Sequence, residues 1–440
     1  MTTVFQERSG AAMTACGALG KENYEGKPLE VEPSAIPATA LLTAGRDKPY
    51  ALGLAFALLS RGQTFDFIGS DLVDAPELHG NSRVKYLNLR NQRTDGTLVQ
   101  KMSRVLVYYV RLIAYALTAK PRVFHILWNN KFELFDRTVL MIYYKLLGKK
   151  IVFTAHNINA GIRDGNDSLL NRLTLKFQYR LSDHIFVHTV AMKEELKSGF
   201  AVPDGKISII PFGINNTVPN TELTTETAKQ KLGIREGERT LLFFGHITPY
   251  KGLEYLIAAF TELAKNSGEY RLIIAGGVKE CEDYWNRVQN AIAASGAGNR
   301  IIQRIEFIPD EQTELYFKAA DVLVLPYTHI FQSGVLFLGY SFGLPVIATD
   351  VGSLKDEIID GTTGFICPPN DPTALTNAIA SYFSSNLYNN LDRERQEIRE
   401  YANQRYSWTK VATITAKVYS KLVENRCAAP GAPTATKGCK

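Results

Sequence analysis

The segment Phe243-Phe244-Gly245-His246-Ile247-Thr248-Pro249-Tyr250-Lys251-Gly252 sets a glycine after one apolar run and a lysine ahead of another. A glycine at the end of a strand lets a ligand come close to the backbone. A lysine at the start of the following helix adds charge where open N–H groups and the helix dipole already favour an anion. A diphosphate suits that arrangement, although a routine connecting loop with a solvated lysine has the same pattern. The segment Leu325-Pro326-Tyr327-Thr328-His329-Ile330-Phe331-Gln332-Ser333-Gly334-Val335-Leu336 repeats the theme, with Ser333 and Gly334 opening an apolar helix. Small residues there leave backbone amides open to phosphate, and a capping serine beside a packing glycine looks alike. Two such loops are harder to assign to packing than one, because ligands of open parallel sheets bind at the carboxyl ends of strands.

The elements that must position these loops follow a regular cadence. A short strand from Ala38 ends at Gly45, a loop runs from Arg46 to Tyr50, a helix from Ala51 to Ser60, and a strand from Phe65 to Gly69. Further strands are expected at Val123 to Leu127, Lys150 to Thr154, His184 to His188 and Ile207 to Ile210, with helices at Phe135 to Leu147, Ser168 to Leu181 and Val190 to Ser198. After a polar, Thr-rich linker from Asn215 to Glu226, strands restart at Thr240 to Phe244, Tyr270 to Ala275, Arg304 to Phe307, Val322 to Leu325, Pro345 to Ala348 and Gly364 to Ile366. Short apolar strands alternating with helices imply parallel sheets covered on both faces. A helix over Trp408 to Glu424 closes the chain's ordered part.

At 440 residues the chain is too long for one core. The boundaries read as a flexible extension over 1–36, a first domain over 37–217, a second over 218–405, a closing helix over 406–426 that packs back on the first domain, and a disordered tail over 427–440. The net charge of +6 is mild and does not by itself imply nucleic acid. Five scattered cysteines without CxxC spacing argue against a disulfide framework or zinc site. No apolar stretch reaches the ~18 residues of a membrane span. A cytoplasmic protein is expected, with any membrane contact peripheral.

At this point the chain resembles a family. Gly245 to Gly252, Ala319 to Pro326, Gly343-Leu344-Pro345-Val346-Ile347-Ala348-Thr349-Asp350-Val351-Gly352 and Asp360-Gly361-Thr362-Thr363-Gly364-Phe365 are similar to the C-terminal domain of retaining family-four glycosyltransferases. Ile210-Pro211-Phe212-Gly213-Ile214 and Phe153-Thr154-Ala155-His156-Asn157 extend the likeness to roughly residues 38 to 425. The resemblance implies the α/β GT-B fold, two Rossmann-like doubly wound parallel-sheet domains facing a central cleft. It implies a nucleotide-diphosphate sugar as donor, a glycan or lipid-linked acceptor, and front-face transfer with retention. No cofactor is implied, and without an Asp-x-Asp motif no metal is required.

The resemblance also assigns roles by position. His156 and Lys251 are the expected catalytic residues. His156 lies near the transferred sugar and Lys251 on the diphosphate. Gly45, Gly245, His246, Lys251, Gln332, Ser333, Gly334 and Val335 are the expected donor contacts. Many members carry two glutamates around the second loop; Ile330 and Leu338 stand at those places, and neither can hydrogen-bond a hydroxyl. Gln332 is the substitute at hand. The remaining histidines, His188 among them, read as structural.

The first domain also carries a basic run without acidic residues: Lys101, Arg104, Arg111, Lys120, Arg122 and Lys131, interleaved with Tyr108, Tyr109 and Tyr115. A second run sets Leu169, Leu170, Leu173, Leu175 and Phe177 among Arg172, Lys176 and Arg180. Such segments can lie on an anionic membrane surface, or face the core with a solvated basic side. A non-catalytic nucleotide-sugar-binding protein is the competing reading. A dinucleotide-dependent oxidoreductase would need GxGxxG after the first strand, where Thr43-Ala44-Gly45-Arg46-Asp47-Lys48-Pro49 stands instead.

Overall fold

The structure is a computed structural model describing residues 39–90, 97–163, 165–216, 218–279 and 281–424. The expected extension over 1–36 and the tail over 427–440 lie outside the described residues.

The strands of the first half are β1 (Thr39–Leu42), β2 (Phe65–Ser70), β3 (Val84–Arg90), β4 (Val123–Ile126), β5 (Lys150–Thr154), β6 (His184–Val187) and β7 (Ile207–Ile209). They form one parallel sheet in the order β3-β2-β1-β4-β5-β6-β7. The second half holds β8 (Arg239–Phe244), β9 (Tyr270–Ala275), β10 (Ile301–Arg304), β11 (Val322–Leu325), β12 (Val346–Thr349) and β13 (Gly364–Cys367). These also run parallel, in the order β10-β9-β8-β11-β12-β13. Strand order reverses between β1 and β4 and again between β8 and β11, and a crevice opens beyond the carboxyl ends at each reversal. The apolar strands are buried on both faces, as helix-covered parallel sheets must be.

Several helices bear on the site: α1 (Lys48–Ser60), α2 (Leu98–Thr118), α3 (Leu169–Leu181), α4 (Leu253–Asn266), α5 (Gly334–Ser341) and α6 (Trp408–Glu424). Helix α6 lays Val411, Ala412, Val418 and Tyr419 on α1 in the core beneath the first sheet. Its leading residue, Trp408, is seated where side chains on Gly53 or Gly213 would overlap it, and its Nε1 donates to Ile214 O at 2.8 Å.

Three expectations need correction. Helix α1 starts at Lys48 rather than Ala51, because Asp47 caps it and Pro49 supplies a first-turn φ. The strand expected at Arg304 to Phe307 is Ile301–Arg304, so Phe307 falls in the loop beyond it and is 75% exposed. Part of the Asn215 to Glu226 linker is packed: Val218 is buried, Thr221 donates to Glu314, and a helix begins at Thr225. That helix, Thr225–Lys231, buries only Ala228 among six polar residues, too little apolar surface to reveal it in the sequence. In the basic run, which the sequence left open between a membrane surface and the core, the tyrosines face inward. Tyr108 and Tyr109 are buried, Tyr108 donates to Asn130, and the Tyr115 hydroxyl donates to Asp66 at 2.8 Å.

Candidate active site

Gly245 follows β8 with φ +97, a conformation that glycine adopts without strain. Pro249–Lys251 make one 3₁₀ turn and Gly252, at φ +65, starts α4. Lys251 is thereby folded back and buried, its ammonium 5.6 Å from the centre of the Tyr327 ring. A methyl group placed on Gly245 would lie 2.7 Å from Lys251 Nζ and 3.5 Å from a methyl of Val335. The glycine, the lysine and the first turn of α5 therefore meet at one point.

The second loop is tied to the first. Thr328 N donates to Tyr250 O at 2.8 Å, and Thr349 Oγ1 to Tyr327 O at 2.6 Å. Ser333 holds the N-cap position of α5, but its hydroxyl contacts Tyr327 OH at 3.4 Å instead of capping the helix. The opening amides of α5 consequently receive no side-chain cap from Ser333, which suits an anion there. Gln332 is partly buried, and neither of its amide atoms has a hydrogen-bond partner among the described residues.

Two cavities meet at Asp47 and Pro49, after β1. The larger, about 840 Å³, is lined by Gly45, Arg46, Arg90, His246, Lys279, Phe307 and Asp310, among others. The smaller, about 250 Å³, is walled by Tyr50, Phe212, Gly334, Val335, Leu338 and Trp408. Each draws residues from both halves of the chain. Gly45 and His246 thus share one cavity, and Gly334 and Val335 the other. His246 is held below its usual pKa by partial burial and then by the charges of Lys251 and Lys279. Leu338 gives the smaller cavity an apolar wall, and Ile330 is buried.

His156 follows β5 and sits behind Tyr50, stacked on Trp128 with ring centres 4.3 Å apart. Its Nδ1 is 3.0 Å from Nε2 of His188, a residue that no sequence motif marks. Burial, with the neighbouring His188 and His125, holds His156 well below its usual pKa. The other histidines have local partners, such as His125 between Tyr419 OH and Thr154 Oγ1. Asp47 also escaped the sequence reading. Its backbone is left-handed at φ +48, its carboxylate accepts from Tyr50 N at 3.3 Å, and the surrounding protein pushes its pKa up to about 6. The signal was a capping residue ahead of Lys-Pro at the end of a strand. Phe307 was hidden by being placed in β10.

Two helix-covered parallel sheets with a ligand-sized cleft at their carboxyl edges define a GT-B protein. The chain belongs to the family-four glycosyltransferases. The family model described as Glycosyl transferases group 1 matches residues 224–405, and that described as Glycosyltransferase Family 4 matches residues 49–217. A D-inositol 3-phosphate glycosyltransferase of Corynebacterium urealyticum is 26% identical over 248 residues, which is 55% of this chain and 57% of that relative's length. The chain therefore spans little more than half of that relative. Among solved structures, the sucrose-phosphate synthase of Thermosynechococcus elongatus superposes with a TM-score of 0.68 at 20% identity, covering 88% of this chain and all of that one. Anabaena HepE in complex with UDP and glucose superposes at 0.67 with 17% identity, covering 87% of this chain and 100% of that one.

Proposed function

We propose that this protein transfers a sugar from a nucleotide-diphosphate donor to an acceptor hydroxyl with retention, in the synthesis of a glycan or glycolipid. The observation that carries the reading is the meeting of Lys251, Gly245 and the first turn of α5. A cation, an open glycine and uncapped helix amides converge where a departing diphosphate needs charge stabilisation. The UDP and glucose of the HepE structure support a donor of this class. Transfer without a covalent intermediate asks for little else, since stabilising the leaving group is the main electrostatic task. In this reading the nucleobase reaches the larger cavity, where exposed Phe307 offers a stacking face, and Gln332 supplies a hydroxyl contact in place of the absent glutamates.

The acceptor is read as membrane-borne. Among the described residues no helix is long and apolar enough to cross a membrane. Yet α2 turns apolar side chains outward, with Met102 64% and Leu106 65% exposed, and α3 does the same with Leu169 at 75%. Phe132 stacks on Tyr109 of α2 and is itself exposed. Exposed Lys101, Arg111 and Arg172 stand on the same two helices. An apolar face edged by cations is suited to an anionic bilayer, and it belongs to the half opposite the proposed donor site.

Replacing Lys251 by alanine tests the reading. Turnover of a nucleotide sugar should fall about a hundredfold, roughly 3 kcal/mol of lost transition-state stabilisation, while the fold is kept. A folded variant with unchanged donor kinetics would refute the site.

A further inference from the structure

His156 and His188 belong to a chain of three groups that determines which ring nitrogen carries hydrogen. Nδ1 of His188 lies 3.3 Å from Ile210 O. A carbonyl only accepts, so that nitrogen must be the donor. Both rings are neutral: burial holds His188 down to about 4 and His156 well below its usual value. A neutral imidazole has one bare nitrogen, so Nε2 of His188 accepts, and Nδ1 of His156 at 3.0 Å donates to it. What remains is Nε2 of His156, a bare lone pair closed off from solvent with no hydrogen-bond partner among the described residues.

The ring cannot easily turn to relieve this. Trp128 lies parallel to it, and Tyr50 meets it edge-on at 4.6 Å. Phe212 closes another side at 6.2 Å and is itself stacked on Phe337 of α5 at 5.1 Å. Phe212 also lies beside Gly334, at the opening turn of α5 where the proposed diphosphate ends. His156 lies just behind Tyr50 and Phe212, which wall the smaller cavity, so a sugar in that cavity reaches Nε2 by displacing one of these rings. A bare nitrogen in such a place receives a hydrogen from a hydroxyl and cannot give one to a phosphate oxygen.

Resting on the function proposed above, we propose that His188 is a positioning residue: through Ile210 O it locks His156 in the Nδ1–H tautomer, leaving Nε2 to accept a hydrogen bond from a hydroxyl of the transferred sugar. A buried acceptor without a partner is costly, and a hydroxyl that fills it recovers that cost on binding. His188 touches no substrate in this scheme. Its effect passes entirely through the proton on its neighbour.

The test uses the full chain labelled with nitrogen-15 histidine. In the wild type, His156 Nε2 should resonate as an unprotonated nitrogen and Nδ1 as a protonated one. His188→Gln keeps an acceptor toward His156 and a donor toward Ile210 O, so it should preserve that pattern and most of the turnover. His188→Leu keeps bulk without polarity; it should mix the tautomers and lower kcat/KM by about tenfold to a hundredfold, the range of one buried hydrogen bond. Saturating UDP-glucose or GDP-mannose, whichever is turned over, should shift Nε2, and the corresponding nucleoside diphosphate alone should not. A protonated Nε2 in the wild type would overturn the proposal. So would a folded His188→Leu variant with the wild-type tautomer, or a shift produced equally by the nucleotide without its sugar. If neither nucleotide sugar is turned over, the proposed function fails, while the tautomers of the three proteins still decide the role of His188.

Discussion

Gly245→Ala is the sharpest probe of the donor site, because its effect can be worked from the geometry. At φ +97 an alanine is strained by roughly 1–3 kcal/mol, which should appear as lost stability. The new methyl would stand 2.7 Å from Lys251 Nζ, and ordinary contact requires about 3.5–4 Å. The ammonium ends a flexible chain and can retreat, so the protein should fold with Nζ displaced by on the order of 1 Å. Misplacing a catalytic group by that much costs up to about a hundredfold in rate, or about 2.7 kcal/mol. If the loss passes through the lysine, it should nearly vanish in a Lys251→Ala background, where no ammonium remains to be displaced. Donor turnover for the wild type, both single variants and the double variant closes the cycle. Urea unfolding of the same four proteins separates backbone strain from catalysis. Independent, multiplying rate losses would show that glycine and lysine do not serve one site, and the diphosphate assignment would fall.

Four more outcomes are expected. His125 and His188 are held by burial at about 3 and about 4, so the unfolded chain takes up protons that the fold refuses. Stability should be full above about pH 6.5 and fall as pH drops toward about 4, by roughly 1.4 kcal/mol per unit for each ring. Asp136, pushed up to about 6 by burial, works in the opposite sense, so the comparison is the urea midpoint of His125→Gln against wild type from pH 7.5 to 5; parallel profiles would refute a neutral His125. Gln332→Leu should leave stability unchanged or raise it slightly, because its amide has no partner, while weakening donor binding by about 1 kcal/mol or more in titration calorimetry. Met102→Gln with Leu106→Gln should reduce pelleting with anionic vesicles at low salt and spare nucleotide binding; wild-type protein that stays in the supernatant would refute the membrane reading. Gly213→Ala, which would overlap Trp408, should cost roughly 1–3 kcal/mol in urea unfolding, and an unchanged midpoint would show that the indole seat yields freely.

The parallel sheets were legible because their strands are short, continuously apolar runs separated by helical spacing, a pattern that burial on both faces imposes. The loop after β8 was legible for a related reason: glycine and lysine at a strand-to-helix junction carry their chemistry in their types. Other features were decided by tertiary contacts that leave no local mark. β3 escaped because a strand with intermediate exposure along its length lacks clear alternation, whereas α2 keeps helical spacing and drew notice only as a basic run. Phe307 was assigned to β10 because Arg304 to Phe307 alternates like a strand, whereas pairing with β9 ends at Arg304. The pairing of His156 with His188 joins the ends of two adjacent strands, 32 residues apart, and only the register of β5 against β6 brings them together.

The return of α6 to the first sheet has a consequence for how the chain is made. Among the described residues, the core of the second sheet is built from one continuous stretch, Ile214 to Tyr406, so that half can begin to form before α6 is made. The first half cannot, because the apolar side of α1 stays uncovered until α6, made after the second half, arrives with Trp408 at its head. During translation the earlier half must wait, incomplete, while the later one forms. Termination before Trp408 should therefore yield a polypeptide whose first half aggregates, and emergence of α6 from the ribosome becomes the step that commits that half to its native state.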